Sequence, residues 1–225
     1  MSLAKIPSRT DYVDEVYKTL LDAISAGKLA PGERITQEDL AERLNVSRSP
    51  VLQALRLLKK DGLLEEAPGR GLVIAKLDPV RIGHLYQVRG ALDALAARLA
   101  ATRQTKIPLS LIEAGQQAAA GTDVSALVNA DIAFHKAIYE ASGNPFIIEN
   151  AMLHWIHLKR VMGAVLQQKS GRSEIWDKHA AIVKAIHEGN GDLAAALSEK
   201  HADLARESLV RNLRETEVEL ERAEV

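Results

Sequence analysis

Beyond Asp78 the sequence has no run in which apolar and polar residues alternate as in a half-buried strand, and this restricts the fold more than any other feature. Turn-forming residues divide the region into six helical segments, near 78–103, 108–120, 124–142, 145–169, 173–188 and 192–220. The segments are rich in alanine and leucine, and aromatic residues make up only 4% of the chain. We therefore predict a domain over residues 78–222 that folds as an antiparallel six-helix bundle.

The region before this bundle follows a different pattern, in which three short helices precede a hairpin. The three helices lie near 11–26, after an N-cap at Thr36, and after an N-cap at Ser47 or Ser49 with a stop at Gly62. Two short apolar runs then flank Pro68–Gly71, as they do in a β-hairpin with a glycine-rich tip. The pattern predicts a mainly α-helical chain with a winged helix-turn-helix domain over residues 8–76.

The third helix carries a local basic patch. From Arg48 to Lys60 there are four basic residues and no acid, namely Arg48, Arg56, Lys59 and Lys60. The net charge of the chain is −1, so no overall positive charge indicates a nucleic-acid partner. A basic face taken alone is usually only solvated, but on the second helix of a helix-turn-helix unit it favours DNA binding.

Four polar residues lie on apolar stripes of the predicted bundle helices, where an unpaired charge would be costly to bury. They are Asp131 and His135 on one helix, His179 on another and His201 on the last. Any one of these histidines alone is more often a hydrogen-bonded core residue. Together, three imidazoles and a carboxylate are a suitable ligand set for a divalent ion such as zinc, nickel or manganese.

Arg89 lies beside the apolar stripe of the first bundle helix, with Asp93 one turn later. Two interpretations stay open at this stage. The pair forms an ion pair on the helix surface, or Arg89 lies at the rim of the metal cavity and holds a carboxylate ligand in a bidentate contact.

Some classes of protein and site are excluded by composition. The chain has no cysteine, which rules out disulfides and thiolate metal sites. No apolar run approaches the roughly 20 residues that span a bilayer, and the N-terminal residues have no secretory apolar segment. We therefore expect a cytoplasmic protein with no membrane partner.

Several of these segments resemble the GntR family of bacterial regulators, in its FadR-like branch with an FCD effector domain. They are LAERLNVSRSPVLQALRLLKKDGLL, PGRGLVIAKL, VRGALDALAARLAA, DIAFHKAIYEASGNP and the spacing of His179 and His201. The resemblance implies that Asp131, His135, His179 and His201 bind a divalent metal. It also implies DNA contacts at Arg48 and Arg56 of the recognition helix and at Gly71 of the wing. We predict that Ser49, at the start of that helix, and Arg70, in the wing, contact DNA as well.

Two positions depart from the pattern of this family. Glu38 and Leu52 stand where the family often has arginine. Leucine cannot donate a hydrogen bond to a base edge or a phosphate, so the operator sequence should differ from the usual one. Asp93 also replaces the usual glutamate, which is a minor change.

The function predicted from these features is ligand-responsive transcriptional regulation. A homodimer binds a palindromic operator, and a small organic acid bound near the metal at Arg89 releases it, so that the protein acts as a repressor. One alternative is a metal-dependent hydrolytic enzyme fused to the helix-turn-helix. In another alternative the metal is itself the signal, or is only structural.

Overall fold

The computed structural model describes residues 12–69, 71–166 and 172–223, with side chains through Glu215. The chain divides into two compact units, Met1–Lys76 and Leu77–Val225. The prediction of a mainly α-helical chain with an N-terminal helix-turn-helix and a C-terminal helical bundle is confirmed.

The N-terminal unit contains three helices and a small antiparallel sheet. Its elements are α1 (Tyr12–Ser25), β1 (Arg34–Ile35), α2 (Gln37–Arg43), α3 (Arg48–Lys60), β2 (Leu64–Glu66) and β3 (Leu72–Ile74). The strand order is β1-β3-β2, with Arg34 opposite Val73 and Leu64 opposite Ile74. The predicted hairpin is therefore β2–β3. The third strand, β1, was not predicted, because two residues are too few to show an alternating pattern.

Local hydrogen bonds explain where the helices of this unit begin and end. The Thr36 hydroxyl accepts a hydrogen bond from the backbone N–H of Asp39 at 3.2 Å and so caps α2. Ser47 occupies the N-cap position of α3, as one of the two predicted capping residues, but its side chain makes no capping hydrogen bond. After α3, Gly62 adopts a positive φ of 73°, which glycine tolerates without steric cost.

The core of the N-terminal unit lies where α1 packs on α3 and α3 packs on β2. Its buried side chains include Val16, Leu20, Ile24, Val51, Leu55, Leu58 and Ile74. At the edge of this core the Tyr17 hydroxyl donates a 2.7 Å hydrogen bond to Asp61, the residue after α3. Packing against this core fixes the orientation of α3. Arg48 and Arg56 lie on the opposite face of the helix and are exposed to solvent.

Among the residues that the structure describes, the C-terminal unit consists of six helices. They are α4 (Pro79–Thr102), α5 (Ser110–Ala120), α6 (Val124–Ala141), α7 (Pro145–Val165), α8 (Arg172–His187) and α9 (Gly191–Ala223). Asp78 begins α4 by accepting hydrogen bonds from two backbone N–H groups, and Asp123 and Asn144 cap α6 and α7 in a similar way. Among the described residues, no helix is both long and apolar enough to cross a membrane.

Small residues allow α4 and α9 to lie close along much of their length. A Cβ added to Gly90 of α4 would lie 3.2 Å from the Cβ of Ala202 of α9. Arg89 precedes this contact on α4, and His201 precedes it on α9. The close approach therefore brings the polar residues of both helices toward the same part of the bundle interior.

Candidate metal centre and DNA-binding surface

The four polar residues predicted to bind a metal lie together in the interior of the helical unit. Asp131 and His135 come from α6, His179 from α8 and His201 from α9. All four are buried, and each offers one ligand atom within 4.8 Å of the ligand atoms of the others. Residues up to 70 positions apart in the sequence thus form one compact donor set.

Three of the distances between the ligand atoms are close to those expected around a small divalent ion. Nε2 of His179 lies 3.1 Å from Nε2 of His201 and 3.5 Å from Oδ1 of Asp131. Nε2 of His135 lies 3.8 Å from the same carboxylate oxygen. A zinc–nitrogen bond of about 2.0–2.1 Å gives ligand atoms that are about 3.3 Å apart in a tetrahedron. The four ligand atoms lie within 4.8 Å of one another, so the set would have to draw together around an ion to reach this geometry.

Two buried polar atoms of the cluster have no hydrogen-bond partner among the described residues. They are Oδ2 of Asp131 and Nδ1 of His179. A buried polar atom without a partner costs about 1–3 kcal/mol, and an ionised carboxylate costs more. Oδ2 of Asp131 has only a longer-range ion pair with Nη2 of Arg89, at 3.7 Å. A cation bound at Oδ1 would neutralise the charge that the two carboxylate oxygens share, so the residues fit a divalent metal.

The buried histidines are neutral at physiological pH. Burial lowers the pKa of His201 to about 3, and the positive charge of Arg89 adds to this effect. Burial also holds the pKa values of His135 and His179 well below their ordinary range. Burial raises the pKa of Asp131 to about 6, against the opposing effect of Arg89. Neutral imidazoles retain the lone pair that a metal ligand needs.

Arg89 lies inside the cluster and not on the surface. Its Nε donates to Oδ2 of Asp93 at 3.3 Å, and its Nη1 donates to the Tyr86 hydroxyl at 3.2 Å. Only 4% of the Arg89 side chain and 3% of the Asp93 side chain are exposed. The ion pair with Asp93 therefore exists as one interpretation expected, but its predicted position on the helix surface is wrong. Arg89 also contacts His135 and Asp131, and the carboxylate ligand that the other interpretation places at its guanidinium stays a prediction.

The remaining nitrogen of Arg89 fixes the tautomer of His135. Nη2 of Arg89 lies 2.7 Å from Nε2 of His135. Because a guanidinium can only donate, Nε2 is the acceptor and the ring hydrogen is on Nδ1. Nδ1 faces Oδ2 of Asp93 at 3.5 Å. The lone pair that accepts from Arg89 is therefore the same one that would bind a metal.

Three aromatic residues of the site were not predicted. Tyr86 receives a hydrogen bond from Arg89, and the Tyr139 hydroxyl donates one to Oδ1 of Asp93 at 2.5 Å. The Trp155 ring centre lies 4.6 Å from the guanidinium carbon of Arg89. Helical spacing could have indicated the two tyrosines, since Tyr86 precedes Arg89 by three residues and Tyr139 follows His135 by four. Trp155 belongs to α7, which had no predicted site residue.

The predicted DNA-binding side chains of α3 are exposed. Arg48 begins the helix, and Ser49 and Arg56 also face solvent. Nη1 of Arg48 lies 3.3 Å from Oε1 of Glu38 on α2. In the wing, Gly71 has a positive φ of 104°, and a Cβ there would lie 3.3 Å from the carbonyl oxygen of Ile35. Arg70, the other predicted wing contact, lies outside the described residues.

Two protein families match the chain. The FCD domain family matches residues 84–204. The family of bacterial regulatory proteins named gntR matches residues 12–74. The first match covers the candidate metal residues and Arg89, and the second covers α1 to β3.

Curated relatives extend over most of the chain. A Bacillus subtilis protein, the uncharacterised HTH-type transcriptional regulator YdhC, is 28% identical over 84% of this chain and 87% of its own length. The HTH-type transcriptional regulator LutR of the same organism is 27% identical over 79% of this chain and 92% of its own length. The HTH-type transcriptional regulator McbR of Escherichia coli is 29% identical over 64% of this chain and 67% of its own length.

Solved structures have the same fold. E. coli McbR/YncC gives a TM-score of 0.75 at 22% identity and covers 92% of this chain and 99% of that one. A putative transcriptional regulator GntR from Rhodococcus sp. RHA1 gives a TM-score of 0.75 at 24% identity, with 89% and 98% covered. At such identities the likeness concerns the fold alone.

Proposed function

This chain belongs to the gntR family of bacterial regulatory proteins and carries an FCD domain, so we propose a mechanism by which it regulates transcription. It is a DNA-binding transcriptional regulator and not an enzyme. It acts as a repressor that a small organic acid releases from a palindromic operator. Residues 8–76 form the DNA-binding domain, and residues 78–222 form the domain that binds a metal and the acid. The observation that carries the proposal is the buried cluster of Asp131 and three histidines.

The proposed metal ligands are Asp131, His135, His179 and His201. The cluster contains one carboxylate, and three imidazoles that their low pKa values keep neutral. Zinc, nickel and manganese all accept such a donor set. When bound, the ion supplies a Lewis-acidic centre that attracts an oxygen ligand of the effector. Oδ2 of Asp131 supports this proposal, because the described residues offer it no hydrogen bond.

Arg89 is the proposed partner of the effector carboxylate. When His135 uses its Nε2 lone pair for a metal, Nη2 of Arg89 loses the acceptor that lies 2.7 Å away. Asp93 and Tyr86 still hold the other two nitrogens of the guanidinium. Nη2 is then a buried donor that keeps only its 3.7 Å ion pair with Oδ2 of Asp131. A carboxylate oxygen next to the metal would give it a hydrogen-bond acceptor. Metal and organic acid are therefore expected to bind cooperatively.

On the DNA side, we propose that a homodimer places its two α3 helices in successive major grooves. The half-sites of the operator then lie about 34–36 Å apart. Arg48 contacts a base edge, Ser49 and Arg56 contact the phosphate backbone, and Arg70 and Gly71 of the wing reach the minor groove. The exposure of Arg48 and Arg56 supports these roles. The acid acts by binding one of two dimer states more tightly than the other.

The proposal can be tested on one preparation of the full chain. A duplex selected by the protein from a random pool is labelled, and its binding is followed by fluorescence anisotropy. Citrate, malate, lactate and acetate are added to metal-loaded and chelator-treated protein in parallel. We expect at least one acid to release the duplex from the metal-loaded protein only. If chelator alone releases the duplex, the metal itself is favoured as the signal. If an acid releases the duplex equally from both preparations, cooperative binding of metal and acid is excluded.

A further inference from the structure

We propose that Glu38 determines operator specificity, by holding Arg48 at a guanine and by accepting a hydrogen bond from a neighbouring cytosine amino group. The inference rests on the proposed role of Arg48 in base reading. It concerns a residue that the family resemblance leaves without a role, since Glu38 stands where arginine is frequent.

The first turn of α2 holds both the side chain and the main chain of Arg48. Oε1 of Glu38 lies 3.3 Å from Nη1 of Arg48. Next to it, the Gln37 side-chain amide donates a 3.0 Å hydrogen bond to the Arg48 carbonyl oxygen. Two adjacent residues of α2 therefore fix the first residue of α3, which is the end of the helix that enters the groove.

In the free protein this ion pair contributes little stability. The Arg48 and Glu38 side chains are 67% and 59% exposed, and exposed ion pairs are worth about 0–1 kcal/mol. The pair becomes more important at the surface of DNA, where water is displaced and phosphates surround the site. Phosphates repel the carboxylate whatever the base sequence, so Glu38 weakens binding to every duplex that offers it no donor.

The major groove limits the donors that Glu38 can meet. Arginine reads the two acceptors of guanine, whereas a glutamate carboxylate pairs with the amino group of cytosine. The two side chains are 3.3 Å apart, which is close to the roughly 3.4 Å step between successive bases. The donor for Glu38 is therefore the cytosine paired with that guanine or the cytosine of the adjacent base pair.

Helix α3 itself has no carboxylate that could replace Glu38 as an acceptor. The sequence has no acid from Arg48 to Lys60, so α3 itself offers no carboxylate to a base. Leu52, one turn after Arg48, is 37% exposed and can offer only an apolar contact, such as one to a thymine methyl group. A carboxylate acceptor near the start of α3 therefore has to come from α2.

The test compares the duplexes that the full-length parent and three variants select from a random pool. Glu38→Gln removes the charge that faces Arg48. Arg48→Gln removes the guanidinium. Asp39→Asn is the matched control, because Asp39 is exposed on the same helix and pairs at 3.2 Å with Arg43 and not with Arg48. Circular dichroism verifies that each variant is folded, as expected for exposed polar substitutions.

For Glu38→Gln we expect the selected site to keep its guanine and to lose the preference for the neighbouring cytosine, by about tenfold or more. Affinity for a random duplex should rise. Asp39→Asn should select the parent's site. The inference is overturned if Glu38→Gln selects the parent's site with the same cytosine preference. It is also overturned if Asp39→Asn reduces that preference as much as Glu38→Gln does. If Arg48→Gln leaves the site unchanged, the proposed role of Arg48 fails instead.

Discussion

Nη2 of Arg89 lies 2.7 Å from Nε2 of His135, so a guanidinium occupies the lone pair that a metal at this cluster would require. The same Nη2 is 3.7 Å from Oδ2 of Asp131. In this arrangement the arginine partly neutralises the buried carboxylate. Binding of a divalent ion would replace that charge and release one nitrogen of Arg89 for another partner.

The role of Arg89 can be tested with a charge-matched pair of substitutions. Arg89→Met combined with Asp93→Asn removes both buried charges and so avoids leaving Asp93 ionised without its partner. We expect DNA binding and metal content to persist, while affinity for the best small acid falls roughly ten- to a hundredfold, as for one lost charge-assisted hydrogen bond. Isothermal titration of the metal-loaded proteins measures this. Equal affinity of parent and variant for the acid would show that Arg89 only balances the charge of Asp93.

The stability of the metal-free protein should fall as the pH is lowered from about 7.5 to about 6, since unfolded histidines titrate near 6.5. In the folded protein, burial keeps the pKa values of His135, His179 and His201 far lower, so the unfolded chain takes up more protons in this range. Asp131, with a pKa of about 6, acts in the opposite direction as the pH falls further, and so does Asp93, whose pKa burial also raises, but these are two groups against three.

Urea unfolding of chelator-treated protein at the two pH values gives the measurement. The control is His201→Gln, which retains a polar side chain but cannot titrate, and it should lose less stability over the same range. A midpoint that stays constant between the two pH values would mean that these histidines become protonated in the folded state as readily as in the unfolded chain.

Arg48→Ala should weaken binding to the selected operator by about 1–3 kcal/mol, because a base contact is lost. The protein should stay folded, since the Arg48 side chain is exposed. Arg43→Ala is a suitable control, since it removes an equally basic and exposed side chain that pairs within α2. Anisotropy titrations with the operator and with a random duplex separate the two effects. A loss of affinity that is the same for both duplexes would assign Arg48 to the phosphate backbone.

Gly115→Ala should destabilise the helical unit. A Cβ at Gly115 of α5 would overlap the ring of Trp176, which is fully buried. Overpacking of this kind costs about 1–3 kcal/mol. Gly83→Ala in α4 is the control, because its nearest new contact is at 3.8 Å. Alanine there should leave the thermal midpoint unchanged or raise it slightly. A Gly115→Ala protein as stable as the parent would contradict the observed packing.

Much of the architecture could be predicted from local signals. Thr36, Gly62 and Asp78 mark helix ends through their own side chain or backbone conformation, and the helices begin and end within a few residues of the predicted positions. The strand β1 could not be predicted, because it depends on hydrogen bonds to β3, which lies far along the chain.

The candidate ligands were predictable because each polar side chain interrupts an apolar stripe of its own helix. The environment of Arg89 was not. Its position relative to Asp93 is compatible with a surface pair as well as with a buried one. Burial depends on His135 and Trp155, which come from two other helices and meet Arg89 only in the folded bundle.

The metal content of the purified protein tests the central claim most directly. Elemental analysis of the parent should find about one divalent ion per chain, as expected for three neutral imidazoles and a carboxylate around one site. His179→Ala and His201→Ala should each lose most of it, while His187→Ala should retain it, because His187 accepts a hydrogen bond from the backbone N–H of Ile107 outside the cluster. Full metal content in both His179→Ala and His201→Ala would contradict the account.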